Sequence, residues 1–145
     1  MFFLKTLPSA RMVEGYAGAH NVSAETIIDA LTLMRRASQM IRRLESFFSS
    51  HGLSQLRFLF LIVIDREPDR DRLTVGEITD RLDVAGPVVA RTLRVLEADG
   101  YVTSQKDEDD ARTKQVRLTP KAHALLKRLL PDYFAILADE MERSK

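Results

Sequence analysis

Apolar residues recur at helical spacing along most of this chain, and the breaks fall at Gly, Pro and clusters of charge. Ser23 followed by Glu25 opens the longest run, free of Gly and Pro until Gly52, which predicts a helix over about residues 24–50 with a glycine stop. Ile27, Leu31, Met34, Ile41 and Phe48 form one stripe on it, and Ala30, Leu33, Ala37, Met40, Leu44 and Phe47 a second beside it. One stripe suffices for packing within the chain. Two point to burial on a second side, against another subunit, the plainer alternative being a helix sunk in its own core. Residues 1–22 hold Pro8, Gly15 and Gly18 with no sustained period and read as an irregular arm whose apolar residues need a partner surface.

Ser54 is a good N-cap for a second, strongly apolar helix to about Arg66, ended by Pro68. Asp69 to Arg72 reads as a solvated connector. Thr74-Val75-Gly76-Glu77 has capping-box spacing and opens a short helix to about Leu82. After the turn Asp83–Pro87, the residues Val89, Thr92, Leu93 and Leu96 repeat at i, i+3, i+4, i+7 and predict a helix from Pro87 to Ala98, closed by Asp99-Gly100. Val102–Lys106 and Lys114–Leu118 alternate on either side of the polar loop Asp107–Thr113, a two-stranded hairpin. Thr119-Pro120 opens a further helix to about Leu130, where Pro131 kinks or restarts it, and an apolar stripe runs on through Phe134, Leu137 and Met141.

Short helix, turn, helix and hairpin in that order make a helix-turn-helix with a wing, a layout in which the second helix enters the DNA major groove. The predicted fold is mainly α with a small β-hairpin wing. With Val89, Thr92, Leu93 and Leu96 inward, the helix displays Pro87, Val88, Ala90, Arg91 and Arg94. Arg91 suits a bidentate contact to guanine, Arg94 a phosphate, and Val88 and Ala90 thymine methyl groups. The bland role for Arg91 is a solvated arginine or an ion pair with Asp80 or Asp83. The hairpin gathers Lys106, Arg112, Lys114 and Arg117, and a wing arginine suits a narrow minor groove. Asp107, Glu108, Asp109 and Asp110 share that tip and repel phosphate unless paired internally; Asp110 is close enough to brace Arg112. Ser54 to Pro120 carries 11 basic against 13 acidic residues, so DNA binding here rests on local placement and not on overall charge.

At 145 residues the chain has the length of one domain, with a core able to fold without staples. With 45% hydrophobic and 30% charged residues, and 22 Lys+Arg against 21 Asp+Glu, the composition is that of an ordinary soluble protein. Absence of Cys excludes disulfides, thiolate metal sites and thiol redox sensing. The apolar run Phe58–Ile64 is too short to span a membrane, and the start of the chain reaches Pro8 and Arg11 too soon for a signal peptide, so a cytoplasmic protein is expected. His20, His51 and His123 are too scattered for a metal site, and no cofactor is expected. His51 and Arg57 are a candidate anion pair, more simply read as ordinary polar positions; Met34 and Met40 read as core filler. No nucleophile elbow, glycine loop or paired carboxylates organise the Ser, His and Asp residues into an enzyme. A protein-docking winged helix without DNA is the alternative function, favoured by the neutral charge and by Val88 and Ala90.

From about His51 to Leu125 the chain resembles the MarR family of bacterial transcriptional regulators, homodimeric winged-helix proteins. The resemblance is carried by Gly52-Leu53-Ser54, by Leu73-Thr74 through Glu77-Ile78 to Leu82, by Val89-Ala90-Arg91 through Leu96-Glu97 to Gly100-Tyr101-Val102, and by Asp107 through Asp110-Ala111-Arg112 to Leu118-Thr119-Pro120. It implies that Arg112 is the wing-tip arginine in the minor groove, that Asp110 orders the wing and that Arg91 lies on the recognition helix. It implies a homodimer on double-stranded DNA, residues 23–53 and 120–145 supplying dimerisation helices around a DNA-binding region over 54–119, and release by a small aromatic or anionic effector. Departures are Ala85 where the family has a capping serine, His123 where it has glycine, a final helix ending early and the amino-terminal arm over 1–22. The arm from Met1 to Tyr16 is expected to pack on the partner.

Overall fold

The computed structural model describes residues 2–145, so Met1 of the expected arm lies outside the described residues. The arm itself contains a helix. α1 (Ala10–Ala17) is capped by Ser9, whose hydroxyl accepts the Met12 amide at 3.3 Å, and a 3-10 turn follows over Gly18–His20. Its period is too short to read locally, because it is fixed by Val13 and Ala17 packing out of solvent, α1 lying on the following helix.

That helix, α2 (Ala24–Ser50), and α5 (Gly86–Ala98) end in the same way. In each a glycine follows the last turn in the left-handed region, Gly52 at φ 69° and Gly100 at φ 78°. Its amide and the next one bond back to the helix: Gly52 to Ser49 (3.0 Å) and Leu53 to Phe48 (2.9 Å), Gly100 to Glu97 (3.0 Å) and Tyr101 to Leu96 (2.9 Å). These Schellman closures satisfy the terminal carbonyls and turn the chain sharply.

α3 (Gln55–Asp65) is the central helix, with Phe58, Phe60, Leu61, Val63 and Ile64 buried. Phe58 lies 4.6 Å from Phe48 of α2 and 4.8 Å from Tyr133 between ring centroids. Tyr133 belongs to α6 (Pro120–Glu142), a single helix running through Pro131, so of the expected kink or restart the restart does not occur. Proline removes the donor to the Lys127 carbonyl, but Pro131 and Lys127 both face solvent, where water can take that oxygen. Leu126 and Leu129 before it and Tyr133, Ile136 and Leu137 after it hold the helix on the core. Arg43 adds bonds to Asp139 (2.6 Å) and Glu140 (2.8 Å), tying α2 to the end of α6.

The sheet has three strands, one more than the hairpin predicted. β1 (Arg72–Thr74), β2 (Val102–Lys106) and β3 (Lys114–Leu118) are antiparallel in the order β1-β3-β2. The charged connector disguised β1, whose one core residue, Leu73, sits opposite Val116. β1 runs straight into α4 (Val75–Arg81) through the predicted capping box: Thr74 Oγ1 accepts the Glu77 amide and Glu77 Oε1 the Thr74 amide, both at 3.1 Å. Arg70 clasps the same carboxylate with two bonds of 2.6 Å.

The Arg70 bonds, against partial burial, hold the Glu77 carboxyl down to about 2 from 4.5. A carboxyl lowered on folding stabilises the fold above its unfolded value and loses that contribution as pH falls from about 4.5 towards 2. Glu77→Ala is expected to cost about 1–2 kcal/mol at pH 7, a fall of a few degrees in Tm, with the gap to wild type closing as melts are taken towards pH 2. A gap independent of pH would mean that the Arg70–Glu77 clasp contributes nothing.

α2 is exposed on the face carrying Leu33 (68% exposed), Met34 and Ile41, and the far end of α6 exposes Phe134 and Met141. Met34 is therefore not core filler, whereas Met40 packs on the core. No single helix among the described residues is long and apolar enough to cross a membrane.

Candidate nucleic-acid interface

α4 and α5 form the helix-turn-helix, and the hairpin β2–β3 folds beside α5. Val89, Thr92, Leu93 and Leu96 are buried as the periodicity predicts, and Thr92 Oγ1 donates to the Val88 carbonyl (2.8 Å). That leaves Pro87, Arg91 and Arg94 exposed and Val88 and Ala90 half-buried on the rest of the helix. No side chain caps α5 at Ala85, and Pro87 stands in its first turn.

A cleft of about 390 Å³ separates α5 from the wing. Ala90, Leu93, Arg94 and Glu97 line one wall, Val75 and Gly76 the floor, and Arg112, Thr113 and Lys114 the other wall. Lys106 pairs in register with Lys114 and shares its face by the strand alternation. Arg91 and Pro87 point outward beyond the cleft. Arg117 is separated from the other wing residues: alternation puts it on the opposite sheet face, across from Arg72, where it bonds Asp71 at 3.3 Å. A wider depression of about 750 Å³ beside the 68–72 connector is walled by charges already paired, Arg70 with Glu77 and Arg72 with Asp71.

At the wing tip Asp110 Oδ1 accepts the Arg112 amide (3.0 Å) and lies 3.3 Å from its Nε, the bracing predicted from spacing. The guanidinium still projects, with the side chain 91% exposed. Asp107 closes the loop through the Thr113 carbonyl (3.0 Å) and hydroxyl (3.4 Å), so two of the four tip acids are engaged and Glu108 and Asp109 face solvent.

Charge is sorted across this region. Arg70, Arg72, Arg81 and Arg117 are all in ion pairs. Among the described residues Arg91, Arg94, Lys106 and Lys114 have no carboxylate within 4.0 Å, so the ion pair suggested for Arg91 does not form. A nearly neutral chain thus presents four unpaired cations around one cleft and one helix face.

Two residues escape a reading of the sequence: Glu97, which lines the cleft one turn beyond Arg94, and Ser104, whose hydroxyl donates to the Glu97 carboxylate. The strand alternation signals that Ser104 shares the inward face of Val102, but not what it meets. No three His, Cys, Asp or Glu side chains converge as metal ligands among the described residues. His51 rests edge-on against Phe47 (5.0 Å), and His123 Nδ1 lies 3.3 Å from Asp65. His51 and Arg57 share no polar contact among the described residues.

A helix-turn-helix whose second helix stands exposed beside a three-stranded wing is a winged helix of the type found in DNA-binding regulators. A sequence model of the MarR family matches residues 51–113. Over those residues the chain resembles that family. It is 28% identical over 140 residues to the transcriptional repressor YetL of Bacillus subtilis, covering 96% of this chain and 83% of YetL. Among solved structures, the M. tuberculosis regulator MOSR in complex with DNA superposes with a TM-score of 0.62 at 28% identity, covering 76% of this chain and 77% of MOSR. Bordetella bronchiseptica BpsR, whose DNA binding is regulated by 6-hydroxynicotinic acid, superposes with a TM-score of 0.66 at 18% identity, covering 75% and 76% of the two chains.

Proposed function

We propose that the chain acts as a homodimer that binds double-stranded DNA sequence-specifically and represses transcription. The placement of charge supports this reading above all: α5 and the cleft side of the wing carry Arg91, Arg94, Lys106 and Lys114, none of them neutralised by a carboxylate within 4.0 Å among the described residues. On this reading α5 lies in the major groove, Arg91 reaching base edges, Arg94 a phosphate, and Pro87, Val88 and Ala90 packing on the groove wall. Arg112, braced by Asp110, enters the minor groove, while Lys106 and Lys114 meet the flanking backbone. Arg117 joins only by exchanging Asp71 for a phosphate. The exposed apolar residues of α2 and α6 bring two copies together, spacing the recognition helices about 34–36 Å apart on a pseudo-palindrome. A small aromatic or anionic effector releasing the DNA belongs to the same reading, with BpsR as the precedent, and its site of action is the cytoplasm.

The test is a fluorescence-anisotropy titration on the duplex upstream of the chain's own gene, against scrambled duplex, at two salt concentrations. Sequence-dependent, salt-sensitive binding is expected, from a particle of roughly twice 16.5 kDa in light scattering. Equal, weak binding to both duplexes, or a monomer at micromolar concentration, would turn the reading towards a protein-docking winged helix.

A further inference from the structure

Glu97 is the one acid lining an otherwise basic cleft, facing Arg94 on its own helix and Arg112 and Lys114 across the gap. A carboxylate there opposes phosphate, so electrostatics alone gives no reason for it. Its partner supplies one. Ser104, third residue of β2, donates its hydroxyl to Glu97 in the last turn of α5.

The hairpin is anchored to α5 at its base, where Gly100 and Tyr101 close the helix and the Thr119 hydroxyl donates to the Gly100 carbonyl (2.7 Å). From there it projects to Arg112 at the tip. The Glu97–Ser104 bond crosses from helix to hairpin partway along, and the Val116 backbone opposite Ser104 is buried, so the crossing is made where the hairpin is still anchored in the core. We infer that Glu97 and Ser104 are positioning residues: their bond sets the spacing between the recognition helix and the wing, and so couples what Arg91 and Arg94 read to where Arg112 enters. This rests on the DNA-binding reading above.

The acceptor, not the charge, matters on this account, which separates it from a simple electrostatic brake. Ser104→Ala and Glu97→Ala are each expected to lower the preference for operator over scrambled duplex about tenfold. The double variant is expected to lose no more than either single one. Glu97→Gln and Ser104→Thr, which keep the bond, are expected to retain the preference. If Glu97→Gln instead matches Glu97→Ala, both binding every duplex more tightly, the carboxylate acts by charge and the inference fails. A second readout needs no DNA. Because the chain has no cysteine, spin labels can be placed at Ala98→Cys and Asp109→Cys, and their distance distribution is expected to broaden on Ser104→Ala and not on Ser104→Thr. An unchanged distribution overturns the inference. Broadening in a protein that ignores operator sequence upholds the tie while removing the DNA-binding reading.

Discussion

Arg112→Ala is expected to weaken operator binding by about 2–6 kcal/mol, roughly 30- to 20,000-fold, since a dimer loses one arginine from each wing at about 1–3 kcal/mol apiece. The folding stability should stay within about 0.5 kcal/mol of wild type, because the side chain is 91% exposed and its bonds are confined to Asp110 at the tip. Anisotropy titrations and calorimetry on the same preparation check both halves. Asp110→Ala should reproduce part of the loss, since it leaves the guanidinium in place while unbracing the loop that presents it. Full affinity in Arg112→Ala would remove the wing tip from the interface and leave α5 to do the reading alone.

The second large effect is on stability. Phe58 is fully buried where α2, α3 and α6 meet, its ring packed between Phe48 and Tyr133. Phe58→Ala should cost about 3–5 kcal/mol from lost burial and the cavity left behind. At about 2–4 °C per kcal/mol for a chain of this size, Tm should fall by roughly 6–20 °C. Denaturant melts give the same quantity from the shift in midpoint. A loss below about 1 kcal/mol would show that the three helices close over the gap, and that this aromatic cluster is not what joins the helical layer to the winged helix.

What could be read from the residues alone was whatever short-range chemistry determines. The glycine stop at Gly52, the Thr74–Glu77 capping box and the hairpin strands are fixed by neighbours a few positions apart, and each appears where expected. The brace from Asp110 to Arg112 is of the same kind. β1 and α1 were missed, and the choice between kink and restart at Pro131 left open, because distant partners decide them: Val116 for Leu73, α2 for Val13 and Ala17, and the core for the turns either side of Pro131. The site divides likewise. The exposed face of α5 follows from its period, whereas the removal of Arg117 to the far sheet face follows from a strand partner that the sequence concealed.

The sheet order carries a consequence for how such a protein diversifies. β3 is held on both sides, by β2 and by β1, and β1 leads without a break into the first helix of the reading pair. A residue gained or lost within β3 would swap its two faces, carrying Lys114 and Val116 to the outside and Arg117 into the core, and would disturb α4 as well. The loop 107–113 bears no such constraint. Descendants of this chain can therefore lengthen, shorten or recharge the wing tip without shifting the strand register, acquiring new binding sites through a segment whose bonds, from Asp107 and Asp110 to Arg112 and Thr113, are local to it.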